Sequence, residues 1–470
     1  MTTILFCTEE EALPDIEIGD AVLIGVEDLC EAPRQIVSLV SDDEKELVLA
    51  VHGDRLQLGA LQAAARRLGF DPLSLGLLDL RSVAEGDGLL RAVAATRARL
   101  SRFPGSRPEH VKLLPPDRST RRGLLSIGTP TYLAAPAIEH EICVAGDGCR
   151  VCVSGCPAGA LSWDGGAVMN DKTSCVACGI CVTSCPTGAV VNPIVTPAGI
   201  EAEISAAIGY GSDPIGIRYR CREATIRSEP GWHQVEVPCT GMLTVGWLLA
   251  PLVMGAKEID AVPCNAGGCS LNNGDRLIAT MDDASTVLHE VGLDDTASLY
   301  VDPRPDLMDG SELFGHGSTI GAIRLLSADV PEARASLQAA DVGTVTIDSD
   351  VCTACEMCAN VCPTDALRSG LEDECVIIDF DPRSCVACGQ CVLACPEIES
   401  NAITMARSFD LVDWASGRRE IRRESTPSCE VCGQPIAPAA MLSRIESILG
   451  EDDKGTLALI GRRCVNCRGR

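Results

Sequence analysis

The 470 residues carry 66 Asp and Glu against 39 Lys and Arg, a formal net charge of -27. That balance argues against nucleic acid, whose phosphates need clustered cations, and it suits either docking to a basic face or a saline source. The 27 cysteines exceed what core packing or a few reactive thiols require, and the length calls for several modules rather than one core. No secretory leader pattern follows Met1, and the longest apolar stretch, Met242 to Ala256, is too short for a membrane span and is broken by Pro251. A cytoplasmic, reducing location is expected, where thiolates stay free for metals.

In chain order, residues 1–125 read as an α/β domain. Ala21 to Val26 and Glu46 to Val51 have the composition of short buried strands; Gly59 to Leu68 forms a helix ended by Gly69, and Leu89 to Leu100 a second. A linker rich in Pro and Arg, Phe103 to Arg122, follows.

Residues 138–195 hold Cys143-x5-Cys149-x2-Cys152-x3-Cys156-Pro157 and Cys175-x2-Cys178-x2-Cys181-x3-Cys185-Pro186. Residues 343–408 hold Cys352-x2-Cys355-x2-Cys358-x3-Cys362-Pro363 and Cys385-x2-Cys388-x2-Cys391-x3-Cys395-Pro396. Paired runs of this spacing resemble two bacterial-type ferredoxin modules, in which one loop supplies three thiolates of a cubane and the partner run the fourth. Four 4Fe–4S clusters follow: Cys143, Cys149, Cys152 with Cys185; Cys175, Cys178, Cys181 with Cys156; Cys352, Cys355, Cys358 with Cys395; Cys385, Cys388, Cys391 with Cys362. Gly179 and Gly389 fall where the backbone must wrap closely around sulfide. Zinc competes for such thiolates, but Cys-Pro endings are not a zinc feature. Cys375, in the strand-like Glu374 to Phe380, reads as a buried small hydrophobe.

Between the modules, residues 200–335 alternate strands and helices: Ile215 to Tyr219, His233 to Val237, helix Met242 to Gly255, Glu258 to Val262, helix Asp275 to Val291, Ser298 to Val301. Parallel strands put their carboxyl ends on one sheet edge, so Cys221, Cys239 and Cys264 converge there with Cys269 close behind, enough for one 2Fe–2S cluster. Gly315-His316-Gly317-x3-Gly321 has the wrong spacing for a dinucleotide fingerprint and reads as a helix start, so no flavin is expected in this chain. In the tail, 409–470, Cys429-x2-Cys432 and Cys464-x2-Cys467 flank a helix at Pro438 to Leu449 and form a tetrahedral zinc-ribbon-like site; rubredoxin-type iron is the alternative occupant. The fold class is therefore multidomain, α/β plus α+β.

Two resemblances sharpen this reading. Pro238-Cys239-Thr240-Gly241, Cys264-Asn-Ala-Gly-Gly-Cys269 and Asn272-Asn273-Gly274 resemble the delta subunit of methyl-viologen-reducing hydrogenase, although Arg220-Cys221-Arg222 offers one thiol where that family is cysteine-rich. The stretch Leu47 to Arg55, with Ala63 to Pro72 and Leu78 to Arg81, is similar to the amino-terminal domain of the heterodisulfide reductase A subunit, with most of the family's cysteines missing. That domain is then a docking surface, with Cys7 and Cys30 as core residues or as remnants of the family's cysteines.

The resemblances imply an electron-transfer subunit beside a hydrogenase, formate dehydrogenase or heterodisulfide-reductase-like subunit and a flavoprotein, with no catalytic residues of its own. A catalytic reductase acting on a disulfide through the middle cluster or Cys30 is the second reading, and an iron–sulfur sensor the third. The six histidines are scattered; His233 and His316, near cysteine motifs, are candidates to tune a potential.

Overall fold

A computed structural model describes residues 2–8, 14, 21–31, 33–40, 46–52, 57–83, 86–114, 130–224, 226–227, 229–262, 271, 273–293, 313–449 and 459–468. The chain divides into two compact units, one of residues 1–143 and 152–326 and one of residues 144–151 and 327–470.

The first unit opens on a four-stranded parallel sheet: β1 (Thr2–Cys7), β2 (Ala21–Val26), β3 (Glu46–Val51) and β4 (Gly76–Asp79) in the order β2-β1-β3-β4. Ile4 stands beside Leu23 on one side and Val48 on the other, so β1 is a central strand. It lies outside the sequence expectation, which begins the sheet at Ala21. Its residues are all buried, as are those of β3 from Leu47 onward, so neither alternates. Continuous burial is what a parallel sheet covered on both faces demands. Helix α1 (Leu58–Arg67) ends one residue before Leu68, and α2 (Asp87–Ser101) starts two residues before Leu89. The antiparallel pair β5 (Val111–Leu114) and β6 (Thr131–Ala134) closes this block.

The first ferredoxin-type segment follows with β7 (Ala137–Ile138), the hairpin β8 (Leu161–Asp164) and β9 (Ala167–Asn170), the short α3 (Ile180–Ser184) and β10 (Val190–Val191), which pairs back onto β7. Thr196 then caps α4 (Pro197–Gly209), its hydroxyl accepting from the Gly199 N–H, with Pro197 at the first helical position. Helix α4 packs along α2.

Strands β11 (Gly216–Cys221), β12 (Trp232–Val237) and β13 (Glu258–Val262) form a parallel sheet ordered β12-β11-β13. The helix expected over Met242 to Gly255 is shorter: a 3₁₀ turn spans Thr240–Met242, and α5 (Val245–Val253) starts where the Thr244 hydroxyl accepts from the Trp247 N–H. Every residue of α5 is buried. Trp247 donates its indole N–H to the Phe314 carbonyl at 2.8 Å and accepts at its own carbonyl from the Tyr219 hydroxyl. Helices α6 (Gly274–Glu290) and α7 (Ser318–Leu326) complete the block. Gly317, at φ 74°, immediately precedes α7, in agreement with the helix-start reading of the glycine motif. The strand expected over Ser298 to Val301 lies outside the described residues.

The second unit contains β14 (Arg334–Ser336), β15 (Gly343–Ile347), α8 (Met357–Asn360), β16 (Leu367–Glu372), β17 (Cys375–Phe380), α9 (Gln390–Leu393), β18 (Ile403–Asp410), α10 (Leu411–Ser416), β19 (Arg419–Ser425) and α11 (Ala439–Leu449). Its sheets are antiparallel, ordered β14-β18-β15 and β16-β17-β19. Among the described residues no helix is long and apolar enough to cross a membrane. The whole is a mixed α/β chain.

Candidate iron–sulfur centres

Three small cavities are lined by cysteines in a repeated pattern. One takes Cys175, Cys178 and Cys181 from a single run and Cys156 from the run before it. In the second unit Cys352, Cys355 and Cys358 meet Cys395, while Cys385, Cys388 and Cys391 meet Cys362. The three voids are equal, about 20 Å3 each. In each, three thiols come from one short loop and the fourth crosses from the partner run.

The same arrangement shows in the thiol acidities. Burial pushes Cys178 and Cys388 up to about 11 and Cys358, Cys385 and Cys391 up to about 12, with Cys181 and Cys395 raised as well. Neighbouring thiols reinforce the shift: Cys156 acts on Cys178 and Cys181, Cys362 on Cys385, Cys388 and Cys391, and Cys352 and Cys355 on Cys395. A buried group of four thiols is costly to ionise without a cation in its midst, and a metal supplies that charge.

Local backbone explains how short loops aim three thiols inward. Ala177, Ala354 and Ala387, each just before the second cysteine of its run, take φ of 54°, 52° and 48°. The N–H groups of Ala177 and Ala354 donate to Cys175 and Cys352 Sγ, both at 3.4 Å. The residue after the second cysteine is also left-handed: Gly179 at φ 82°, Gly389 at 73° and Glu356 at 66°. Only two of the three positions use glycine, so Glu356 holds a conformation that costs a side chain.

For the run at Cys143, Cys143, Cys152 and Cys185 belong to the first unit and Cys149 to the second. Within the second unit Cys149 lies near enough to Cys388 to raise its pKa, and the adjacent Arg150 N–H donates to Gln390 Oε1.

In the middle block Cys221 is the last residue of β11 and Cys239 stands two residues past β12, so both reach the carboxyl edge of the parallel sheet. Both are buried, and Cys239 is raised chiefly by its hydrogen bond with Cys221 and by burial. The Gly241 N–H and the Asn273 side-chain amide donate to Cys239 Sγ at 3.4 and 3.6 Å. Cys264 and Cys269 lie outside the described residues.

This edge abuts the Cys175 loop. Cys239 contributes to the raised pKa of Cys178. Arg222 donates to the carbonyls of Val176 and Ala177 at 2.8 and 3.3 Å, and Thr183 to that of Met242 at 2.5 Å.

In the tail, Cys429, Cys432, Cys464 and Cys467 bring their sulfurs within 4.8 Å of one another. The Gly433 N–H donates to the Cys429 carbonyl with Gly433 at φ 72°, a tight knuckle turn. Backbone N–H groups, that of Cys464 foremost, bring Cys429 down to about 6. Four clustered sulfurs of this kind suit a tetrahedral metal.

Other residues singled out in the sequence fall differently. Cys375 is the half-buried first residue of β17, within reach of the Arg423 guanidinium, rather than a fully buried hydrophobe. It follows the exposed turn Asp373–Glu374 between β16 and β17, where cover is incomplete. His233 pairs with Glu203 at 3.5 Å, while His316 Nδ1 stands against Gly188, three residues past Cys185. Cys7 and Cys30 are fully buried, and His52, one of the scattered histidines, lies beside them. A cleft of about 1040 Å3 is lined by residues of α1, α2, α4 and β12, including Arg99, Glu203 and His233.

Comparison with known families agrees with this geometry. Residues 168–191 and 345–368 match the family described as 4Fe-4S binding domain, and residues 382–402 match a second family of that description. Residues 220–300 match methyl-viologen-reducing hydrogenase, delta subunit. No curated protein matches the chain. The ferredoxin segments, the delta-subunit-like domain and the cysteine-lined cavities define an iron–sulfur electron-transfer subunit.

Proposed function

We propose that the chain relays electrons within a multi-subunit cytoplasmic oxidoreductase of the hydrogenase, formate dehydrogenase or heterodisulfide reductase kind, to or from a flavin-containing partner. The observation that carries this reading is the proximity of Cys239 to Cys178, across a contact held by Arg222. It sets the delta-subunit-like domain directly against a ferredoxin-type loop.

The proposed complement is four 4Fe–4S clusters, one 2Fe–2S cluster and one tail metal, with no flavin in this chain. Three cubanes take the cysteines that line the three cavities, and the fourth, on Cys143, Cys149, Cys152 and Cys185, rests on spacing. Cys221, Cys239, Cys264 and Cys269 hold the two-iron cluster, and Cys429, Cys432, Cys464 and Cys467 hold zinc, with rubredoxin-type iron as alternative. When bound, the clusters supply one-electron carriers. The chain's own groups exclude water from the thiols, direct N–H donors at sulfur and fix the spacing of neighbouring sites. Residues 1–125, similar to the heterodisulfide reductase A amino-terminal domain, form a docking surface in this reading.

Catalysis on a disulfide is less favoured, because the residues lining the large cleft include no cysteine. Anaerobic co-purification with identification of bound subunits, combined with iron analysis, tests the proposal. About 18 iron per chain and a bound oxidoreductase partner are expected. Iron-free material after reconstitution, or disulfide reduction by the isolated chain with an artificial donor, would overturn it.

A further inference from the structure

In the amino-terminal block three side chains converge at the carboxyl edge of the parallel sheet. Cys7 is the last residue of β1, His52 the first after β3, and Cys30 lies in the turn that follows β2. Because β1 runs between β2 and β3, three adjacent strands deliver one group each to the same point. Cys7 and Cys30 Sγ are 3.5 Å apart, and Cys30 Sγ is 3.8 Å from His52 Nδ1. All three ligand atoms lie within 4.8 Å of one another, and each residue is at most 1% exposed.

We propose that Cys7, Cys30 and His52 form a mononuclear zinc site, independent of the electron-transfer reading. Tetrahedral zinc with bonds of about 2.3 Å to sulfur and 2.0–2.1 Å to nitrogen sets sulfur–sulfur separations near 3.8 Å and sulfur–nitrogen separations near 3.6 Å. The observed distances lie close to both. A cubane carries one thiolate on each iron, which requires wider spacing than 3.5 Å between Cys7 and Cys30, and a two-iron cluster needs two ligands on each iron where three groups converge among the described residues.

Charge points the same way. Two thiolates, a neutral imidazole and a divalent ion sum to zero, which suits a fully buried site; a monovalent ion leaves a net negative charge there. The His52 backbone N–H donates to Cys30 Sγ at 3.2 Å, the kind of outer contact that steadies a metal-bound thiolate. Cysteine acting only as a small hydrophobe needs no second sulfur and no imidazole facing it. Among the described residues three protein ligands meet at this point, and tetrahedral zinc takes a fourth group.

The test uses the full chain, purified anaerobically, carrying Cys429→Ser and Cys432→Ser to remove the tail site. This variant should retain about one zinc per chain, and its zinc absorption-edge fine structure should show two sulfurs near 2.3 Å and an imidazole nitrogen near 2.0–2.1 Å. Adding Cys7→Ala and Cys30→Ala should remove that zinc with iron unchanged, and His52→Ala should weaken it at least tenfold. A zinc-free tail variant overturns the proposal, as does a Cys7–Cys30 disulfide in anaerobic material. Loss of iron and sulfide with Cys7 and Cys30 replaces it with a cluster. If the multiple variant fails to fold, the zinc spectrum of the tail variant alone decides.

Discussion

Met242 occupies the space that any side chain on Gly179 would need: its Sδ lies 2.8 Å from where the Cβ would stand. Gly179 is also at φ 82°, so an added methyl meets both a steric and a conformational objection. Gly389, in the matching loop of the second unit, has φ 73° but only Met405 Cε at 3.8 Å. Gly179→Ala should therefore destabilise by about 2–4 kcal/mol and Gly389→Ala by about 1–2 kcal/mol. Iron retention of each anaerobic variant during mild heating measures the difference. Equal losses would mean that Met242 yields freely and the contact does not hold the two sites together.

The ferredoxin-type loops were legible from sequence because their geometry is local. Three thiols separated by two residues each need only the left-handed turns at Ala177 and Gly179, and the spacing records those turns. The carboxyl-edge position of Cys221 and Cys239 followed from the alternation of strands and helices over residues 215–262, which announces a parallel sheet. The Cys7, Cys30 and His52 group was not legible, since it exists only through the pairing of β1 with β2 and β3 across the chain. Thr2–Cys7 has no alternation to announce it, being buried throughout. The start of α5 was equally hidden: Met242 to Val253 is apolar enough to read as one helix, and only the Thr244 cap sets its beginning.

Crossed ligation makes a prediction about which substitutions resemble one another. Cys395 shares its cavity with Cys352, Cys355 and Cys358, not with Cys391 four residues away in sequence. Electron paramagnetic resonance of the reduced chain should therefore lose or alter the same cluster signal in Cys395→Ser and Cys352→Ser. Cys391→Ser and Cys362→Ser should together affect a different one. Shared loss between Cys395→Ser and Cys391→Ser would show ligation within a run and refute the crossed scheme.

Glu203 on α4 meets Arg99 on α2 at 2.7 Å, and His233 approaches its other oxygen. Burial works to raise the Glu203 pKa, but Arg99 and His233 together bring it below the usual carboxylate value. Glu203→Ala should cost about 3–5 kcal/mol by leaving Arg99 uncompensated, and Glu203→Ala with Arg99→Met should recover much of it. Because the folded carboxylate is the more acidic, its stabilisation is full above the unfolded value of 4.5 and falls away as pH drops through the folded one. The gap between urea melts of wild type and Glu203→Gln should narrow as pH is lowered from 7 through the folded carboxylate's range; a gap that stays constant throughout would remove the ion pair from the stability of this block.

The buried thiols give the opposite dependence. Cys358, Cys385 and Cys391 are raised from 9.0 to about 12 by burial, so in the iron-free chain the folded state keeps them neutral. The unfolded chain ionises them from pH 9 upward and gains relative stability there. Below that value their contribution is fully present, and it is lost as pH rises toward 12. The iron-free full-length chain should therefore lose about 3 kcal/mol or more between pH 8 and pH 11. Cluster-loaded protein, its thiolates already deprotonated on metal, should change much less across the same interval, and cluster assembly at pH 8 should release protons. Paired denaturation curves of the two forms, with proton release followed in weak buffer, measure both effects. A loaded form that weakens in step with the iron-free form would show that these thiols are not the metal-binding groups.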